Sequence, residues 1–516
     1  MNADTLAPRV FLVGAGPGNP GLLTLRAVEC LARADLVLYD QLVSPRLLDF
    51  APPSARRVCV REMHDHHAER VPLVNQVLID AARQGQCVVR LKGGDPYLFG
   101  RGGEEGELLR QAGVAFEVVP GVTAALGAAA FAGIPLTHRK YASAVAFITG
   151  HEQPDKGESL LDWAALARFP GTLVFYMGVS RLAAIVGSLL EHGKSADTPA
   201  ALVHRATTGR QRTVTARLAD LPRAVEAAGL KAPSLVIVGP VVQLRPVLDW
   251  FGARPLFGRR VLVTRPRHQA GDMVRRLEEL GADVALLPTV EVRDPDDWAP
   301  VDRAIADLAR YHWLVFTSVN GVHFFLRRLR QQGHDLRRLG SVKLAAIGPT
   351  TADSLRSYHL EPDLVPSEYR SECLAAALQE RAAGQRVLLA RADRGRELLR
   401  EQLKAVAEVE QVAVYSQVDA IELDPATAEM LRSGAIEYIT LTSSNIARSL
   451  TRLLDAETLA QLREGKIRLV SISPVTSAAV RELGFPVAAE AKEYTTAGVI
   501  AALVEDCRLR LSKEGC

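Results

Sequence analysis

Two short runs in the first quarter of the chain combine glycine with groups that can hold a small molecule. Lys92-Gly93-Gly94-Asp95-Pro96 follows the apolar run 88–91, and Gly14-Ala15-Gly16-Pro17-Gly18 follows the apolar run 10–13. A third, Val119-Pro120-Gly121-Val122-Thr123-Ala124-Ala125, follows 116–118 and leads into an alanine-rich stretch ending at Gly133-Ile134-Pro135-Leu136-Thr137-His138-Arg139. Glycine clusters are costly to order, so they mark places where backbone comes close to a ligand or to other backbone. Loops at the carboxyl ends of buried strands are where open α/β sheets keep small-molecule sites. For any one loop the plain alternative is a tight strand-to-helix turn; three of this kind point to one cleft. The first loop is no dinucleotide fingerprint. Position 19 is Asn19 where a glycine is needed, and Pro17 lacks an amide a phosphate cradle would use. The Asp95 carboxylate suits a cationic or hydroxyl-rich ligand.

The elements that must position these loops are strands alternating with helices. Strands are expected at 10–13, 36–40, 88–91, 116–119, 145–149, 173–176, 200–203 and 235–238. Leu22, Leu25, Val28, Leu31 and Ala32 mark one face of a helix between the first two. Pro246, Gly252, Pro255 and Gly258 interrupt the rhythm, which restarts at 260–264 and continues with strands at 314–316, 344–347, 387–390, 412–414, 436–441 and 469–472. The fold class is α/β, with a first domain over 1–250, a linker at 251–258 and a second domain over 259–516.

Bulk composition sets outer bounds. At 516 residues the chain exceeds one ordinary core, and 48% hydrophobic with 23% charged residues is a globular balance. A net charge of +3 without a long basic tract argues against a nucleic-acid partner. The longest apolar stretch, 124–136, is too short to span a bilayer, and the N-terminus lacks the pattern of a signal peptide. Six scattered cysteines form no CxxC pair, which fits a cytoplasmic protein. His64, His66 and His67 have no second ligand set beside them, so the expectation there is a solvated loop and no metal.

The second half carries a different chemistry. Its strand ends read Thr264-Arg265-Pro266, Thr317-Ser318-Val319-Asn320-Gly321, Gly348-Pro349-Thr350, Tyr415-Ser416, Thr442-Ser443-Ser444-Asn445 and Ser473-Pro474-Val475-Thr476. These make a neutral hydrogen-bonding surface. No Ser/His/Asp triad, carboxylate pair or metal cluster can be assembled, so a reaction here needs orientation and a weak acid, or the block only binds. The echo between 316–320 and 441–445 suggests two similar lobes.

With these residues in view, the first half resembles the uroporphyrinogen-III C-methyltransferases of the tetrapyrrole methylase superfamily. The carrying pieces are GAGPGNPGLLTLRA (14–27), LYDQLVS (38–44), RLKGGDPYLFGRGGEE (90–105), VVPGVTAALGAAAFAGIPLTHR (118–139), TLVFYMG (172–178) and APSLVIVGPVV (232–242). The resemblance implies a two-lobed domain that binds S-adenosylmethionine through Pro17, Gly93, Gly94, Asp95, Leu98, Thr123, Ala124, Met177 and Ala206. Met177 and the small Thr123-Ala124 pair suit an adenine face. It implies two methyl transfers to pyrrole carbons, giving precorrin-2, with Asp40 as proton acceptor; a turn cap is the local alternative for Asp40. A family lysine expected some twenty residues after Asp40 is absent from Val60-Arg61-Glu62-Met63, and arginine is a poor proton donor. The substrate's eight carboxylates call for basic groups at the opening. Arg90, Lys92, Arg101, His138, Arg139 and Lys140 are the candidates, each with a surface charge as its alternative. A homodimer through this half is implied as well.

Residues 258–505 resemble uroporphyrinogen-III synthase through VLVTRP (261–266), LPTVEV (287–292), FTSVNGV (316–322), AAIGPTTA (345–352), LLAR (388–391), VAVYS (412–416) and LTSSN (441–445). This implies two α/β lobes on a two-stranded linker, closing hydroxymethylbilane into a macrocycle without a cofactor. Tyr415 would assist departure of the hydroxyl, Thr264, Ser318, Thr442 and Ser443 would touch substrate, and Arg265, Arg370 and Arg391 would hold its carboxylates. A packed strand-end tyrosine is the alternative for Tyr415. The competing reading of the whole is a methyltransferase whose second half is a non-catalytic, tetrapyrrole-binding regulatory module.

Overall fold

The computed structural model describes residues 9–63, 67–150, 160–395, 397–419 and 422–514. His64 and His66 lie outside them. Ten strands build the first half: β1 (Val10–Gly14), β2 (Leu36–Tyr39), β3 (Arg56–Cys59), β4 (Val88–Lys92), β5 (Phe116–Val119), β6 (Val145–Thr149), β7 (Thr172–Tyr176), β8 (Pro199–His204), β9 (Arg212–Arg217) and β10 (Ser234–Val238). The first five form one sheet in the order β3-β2-β4-β1-β5, parallel throughout. Each returning crossover is helical, and the two central strands β1 and β4 are buried along their whole length. The other five form the sheet β6-β7-β10-β8-β9. There β6 and β7 are parallel while β10 runs against both β7 and β8, so β7 and β8 end on the same edge.

The second half adds β11 (Arg260–Val263), β12 (Asp283–Leu286), β13 (Val290–Arg293), β14 (Trp313–Phe316), β15 (Lys343–Ala346), β16 (Arg386–Ala392), β17 (Glu408–Asp419), β18 (Tyr438–Leu441), β19 (Arg468–Ser471) and β20 (Ala489–Glu490). They divide into β12-β11-β18-β19-β20 and β13-β17-β16-β14-β15. Strand β17 is far longer than the apolar core 412–414 predicts. Its first part runs parallel to β16 and its last part antiparallel to β13, so polar residues at both ends are held by partners of opposite sense.

Two compact units result. One holds the chain up to Val261 with Met273–Val284 and everything from Leu503; the other holds Leu262–Asp272 and Ala285–Ala502. The segment expected as a linker, 251–258, is packed inside the first unit. Phe251 is buried against Phe131, and the Leu256 amide donates to the Leu280 carbonyl. Apolar residues placed between the proline and glycine breaks supply that packing.

The first sheet's loops converge because glycines let them touch. A Cβ at Gly14 would sit 2.5 Å from the Gly121 nitrogen and 2.7 Å from the Gly94 oxygen; one at Gly121 would sit 2.3 Å from that oxygen. Gly16 and Gly94 exchange backbone hydrogen bonds of 3.2 and 2.8 Å across the gap. Substituting Gly121→Ala therefore lowers stability by about 1–3 kcal/mol, the usual cost of overpacking. Gly187→Ala, in the helix Leu182–Glu191 with open space around its Cβ, raises it by about 0.5–1 kcal/mol. Chemical denaturation of the two variants checks this; a Gly121→Ala protein as stable as its parent would contradict the close approach.

Candidate functional site

All nine residues carried over for the methyl donor line one cleft of about 440 Å³ in the first unit: Pro17, Gly93, Gly94, Asp95, Leu98, Thr123, Ala124, Met177 and Ala206. They come from the ends of β1, β4, β5, β7 and β8, which is the geometry that parallel strand ends and a shared sheet edge produce. The Asp95 carboxylate works first as a brace. Its Oδ1 accepts the Tyr97 amide at 2.8 Å and its Oδ2 accepts the Gly121 amide at 3.0 Å, tying two loops together. A carboxylate has further lone pairs, so it retains acceptor capacity toward a ligand. Gly127 is the reason Pro17 sits where it does: a Cβ there would lie 2.5 Å from the proline ring. Gly93 is exposed, with only Leu42 Cβ near its own missing Cβ at 4.0 Å. Any side chain at 93 would project into the cleft.

Other lining residues escaped the sequence reading. Tyr176 buries its ring, and its hydroxyl bonds Thr123 Oγ1 at 2.7 Å and accepts the Ala125 amide at 3.1 Å. Burial pushes that phenol above its ordinary value. Leu42 and Met177 leave 66% and 49% of their surface exposed at the cleft, an apolar lining that solvent would not favour. Phe99, Arg101, Met177 and Arg205, all lining residues, have positive φ between 45° and 59°. Non-glycine residues rarely adopt this conformation, and such strain collects at functional sites. Adjacency to a motif was the one available sequence signal: Tyr176 precedes Met177, and Phe99 lies between Asp95 and Arg101.

A second cavity of about 470 Å³ shares Gln41, Leu42, Gly93, Phe99, Gly100 and Met177 with the first and contains Asp40 and Arg101. Arg90 and Lys92 are here, but not as surface grips for substrate. Both are buried, on the same face of β4, and both are paired internally. Arg90 Nη2 donates to Asp40 Oδ1 at 2.5 Å and its Nε to Glu105 Oε1 at 3.1 Å. Lys92 Nζ donates to the same Glu105 oxygen at 2.9 Å. Burial, and then the Arg90 charge, pull the Lys92 ammonium below its ordinary value. Two cations on a central strand need internal partners because the desolvation cost leaves no other stable arrangement. Arg101 is exposed and pairs with Glu104. Arg139 and Lys140 are exposed beyond α-helical Ala124–Ala132 and line neither cavity; the His138 ring lies tilted against Tyr141.

In the second unit the hydroxyls of the strand ends prove to be helix caps. Ser318 Oγ accepts the Gly321 amide at 3.0 Å, Ser443 Oγ the Ile446 amide at 3.2 Å and Ser473 Oγ the Thr476 amide at 3.4 Å. The echo between 316–320 and 441–445 is thus a repeated strand-to-helix cap in two lobes. Thr442 is half-buried beside its capping neighbour. Thr264 is not a contact surface: it is fully buried and its hydroxyl donates to the Thr440 carbonyl at 2.6 Å, clamping the sheet. Arg391 is buried too, reaching Gln411 Oε1 at 3.4 Å and Glu397 at 3.5 Å, and its guanidinium lies against Gly395, whose φ of 144° favours glycine. Arg265 donates to Thr496 Oγ1 at 2.8 Å, and Arg370 is exposed near Glu368.

Tyr415 and Ser318 do come together, 3.0 Å apart. The Tyr415 ring is 4% exposed and packs on Phe324. Burial pushes its phenol up, partly offset by Ser318 and Asn320. Folding therefore favours the protonated phenol; that contribution is intact below about pH 10 and lost as pH rises above it. Ser318→Ala and Ser443→Ala should each cost about 1 kcal/mol as lost caps. Only Ser318→Ala should move the Tyr415 phenol further up in an ultraviolet titration, with Tyr415→Phe identifying the signal; equal titrations in both variants would separate Ser318 from Tyr415.

Residues 9–222 match the tetrapyrrole (corrin/porphyrin) methylases, and residues 271–501 match uroporphyrinogen-III synthase HemD. The chain is 34% identical over 494 residues to the porphyrin biosynthesis protein HemD of Ruminiclostridium josui, covering 95% of each. It is 54% identical to the siroheme synthase of Chromobacterium violaceum over 245 residues, 48% of this chain and 52% of that one, so it spans about half that relative's length. The uroporphyrin-III C-methyl transferase of Thermus thermophilus, solved in complex with S-adenyl homocysteine, is 43% identical over 46% of this chain and 94% of its own, with a TM-score of 0.39.

Proposed function

Because this chain belongs to the tetrapyrrole methylases through its first half and to the uroporphyrinogen-III synthases through its second, we propose that it catalyses two consecutive reactions. The second half closes hydroxymethylbilane to uroporphyrinogen III, and the first half methylates that product twice to precorrin-2, on the route to siroheme or cobalamin. The observation that carries the first assignment is the cleft itself: nine residues from five strand ends, with Asp40 in the adjoining cavity.

The residues fit S-adenosylmethionine. Gly93 leaves a cradle that a side chain would fill, and Met177, Leu42 and Ala124 present an apolar wall. Pro17, Gly93, Gly94, Asp95, Leu98, Thr123, Ala124, Met177 and Ala206 would hold it. When bound, its sulfonium supplies an electrophilic methyl group. The chain's own tasks are then orientation, exclusion of water and proton removal. A pyrrole carbon that gains a methyl group leaves its ring with a proton to lose, and Asp40, one-third exposed and steadied by Arg90, would accept it. In the second half, the protonated Tyr415 phenol is a hydrogen-bond donor for the departing hydroxyl of the linear substrate.

An anaerobic assay of the purified chain with hydroxymethylbilane, with and without S-adenosylmethionine, tests both steps. The expected products are uroporphyrinogen III without the donor and a dimethylated product with it. Asp40→Asn should cut methyl transfer by about 10²–10⁴-fold, the usual share of general base catalysis, with donor affinity retained. If only the spontaneous type I isomer forms while supplied uroporphyrinogen III is still methylated, the second half is a binding module instead. If supplied uroporphyrinogen III is not methylated, the first assignment fails.

A further inference from the structure

The group behind Asp40 is built unlike a structural ion pair. Arg90, Glu105 and Lys92 are each buried, and Glu105 meets both cations through a single oxygen. Its other oxygen, Oε2, is buried with no hydrogen-bond partner among the described residues. A pair arranged for strength would be bidentate. Asp40 is the one member of the four with substantial exposure. The guanidinium is a rigid planar fork, with Nε on Glu105 and Nη2 on Asp40. A change in the pull of Glu105 therefore changes the aim and strength of the bond to Asp40.

We propose that Glu105 and Lys92 are positioning residues for methyl transfer: Lys92 competes with Arg90 for one Glu105 oxygen, and that competition sets how firmly Arg90 holds Asp40. The inference rests on the reading above in which Asp40 accepts the substrate's proton. Among the described residues, the charged groups around Glu105 are few. Strand β4 contributes Arg90 and Lys92, the end of β2 contributes Asp40, and the start of helix Gly102–Gln111 contributes Glu104, paired outward with Arg101. The neighbouring helix His67–Arg83 brings the uncharged Asn75 to the cavity. With all four central groups ionised, the two positive and two negative charges cancel.

Removing either member of the pair shifts the balance in opposite senses. In Glu105→Gln, two buried cations face Asp40 as their one close anion, so its carboxylate is held harder as the ion. In Lys92→Met, Glu105 draws on Arg90 alone, and Arg90's hold on Asp40 weakens. The acid limb of the pH profile of methyl transfer should move down by about one pH unit in Glu105→Gln and up by about the same in Lys92→Met, the ordinary effect of one close charge. Turnover should fall more than substrate affinity in both. Lys92→Arg should return the profile toward the parent, and so should the double variant Glu105→Gln/Lys92→Met, which leaves only the neutral Arg90–Asp40 pair. A reading independent of turnover comes from protein labelled with ¹³C at aspartate carboxyl carbons, with Asp40 assigned through Asp40→Asn. Its titration, without methyl donor, should move in the same two directions. Shifts of one sign, or none, in folded variants would overturn the proposal. If the parent methylates no tetrapyrrole, the functional reading fails by that result, and the carboxyl titration still decides the positioning role.

Discussion

Gly14 and Gly121 approach each other and the Gly94 carbonyl at distances that leave no room for a side chain on either, and Gly94 turns the chain through a left-handed φ of 68°. Everything in the first unit's cleft depends on that approach. It brings the ends of β1, β4 and β5 into one rim, and Asp95 then locks the rim by accepting amides from its own loop and from Gly121. Gly127 seats Pro17 against the third loop by the same means. The glycines lose more conformational freedom on folding than any other residue would. Their cost is offset by burial of the two central strands and of the alanine-rich helix Ala124–Ala132, which supply apolar packing on both sides.

The two halves solve the problem of a polar site in different ways. In the first, charge is taken inside: two cations and a carboxylate sit buried behind the one aspartate that reaches the cavity. In the second, the strand-end hydroxyls are neutral and do double duty. Ser318 caps a helix and bonds Tyr415, so the phenol's place is fixed by the same residue that starts the helix. A donor held this way needs no reorganisation to act, which suits a reaction that asks mainly for orientation.

The sequence made the interior of each sheet legible and its polar rims illegible. Two strongly apolar edge strands, Phe116–Val119 and Val145–Thr149, fall where their runs place them, and the interior strands other than Glu408–Asp419 differ by a residue or two at each end. The five strands that the reading missed, Arg56–Cys59, Arg212–Arg217, Asp283–Leu286, Val290–Arg293 and Ala489–Glu490, are all sheet edges. An edge strand buries less and carries more polar residues, so its apolar signal is weak. Motif residues were legible for a related reason: glycines and Asp95 act through the backbone of their own loops. Arg90 and Lys92 were misjudged as substrate grips because their partner, Glu105, lies on a helix whose facing is set by packing and not by spacing. Thr264 was misjudged likewise, since only the sheet shows that its hydroxyl meets the Thr440 carbonyl.

The proposed function turns on whether the glycine-rimmed cleft holds the methyl donor. The direct measurement is a calorimetric titration of S-adenosylhomocysteine into the chain and into Gly93→Val, whose Cβ would have only Leu42 Cβ nearby, at 4.0 Å. One site per chain is expected, with a loss of affinity on the order of 100-fold in the variant, the scale of a steric penalty of a few kcal/mol, and with thermal stability unchanged. Equal affinity in the two proteins would place the donor elsewhere and contradict that expectation.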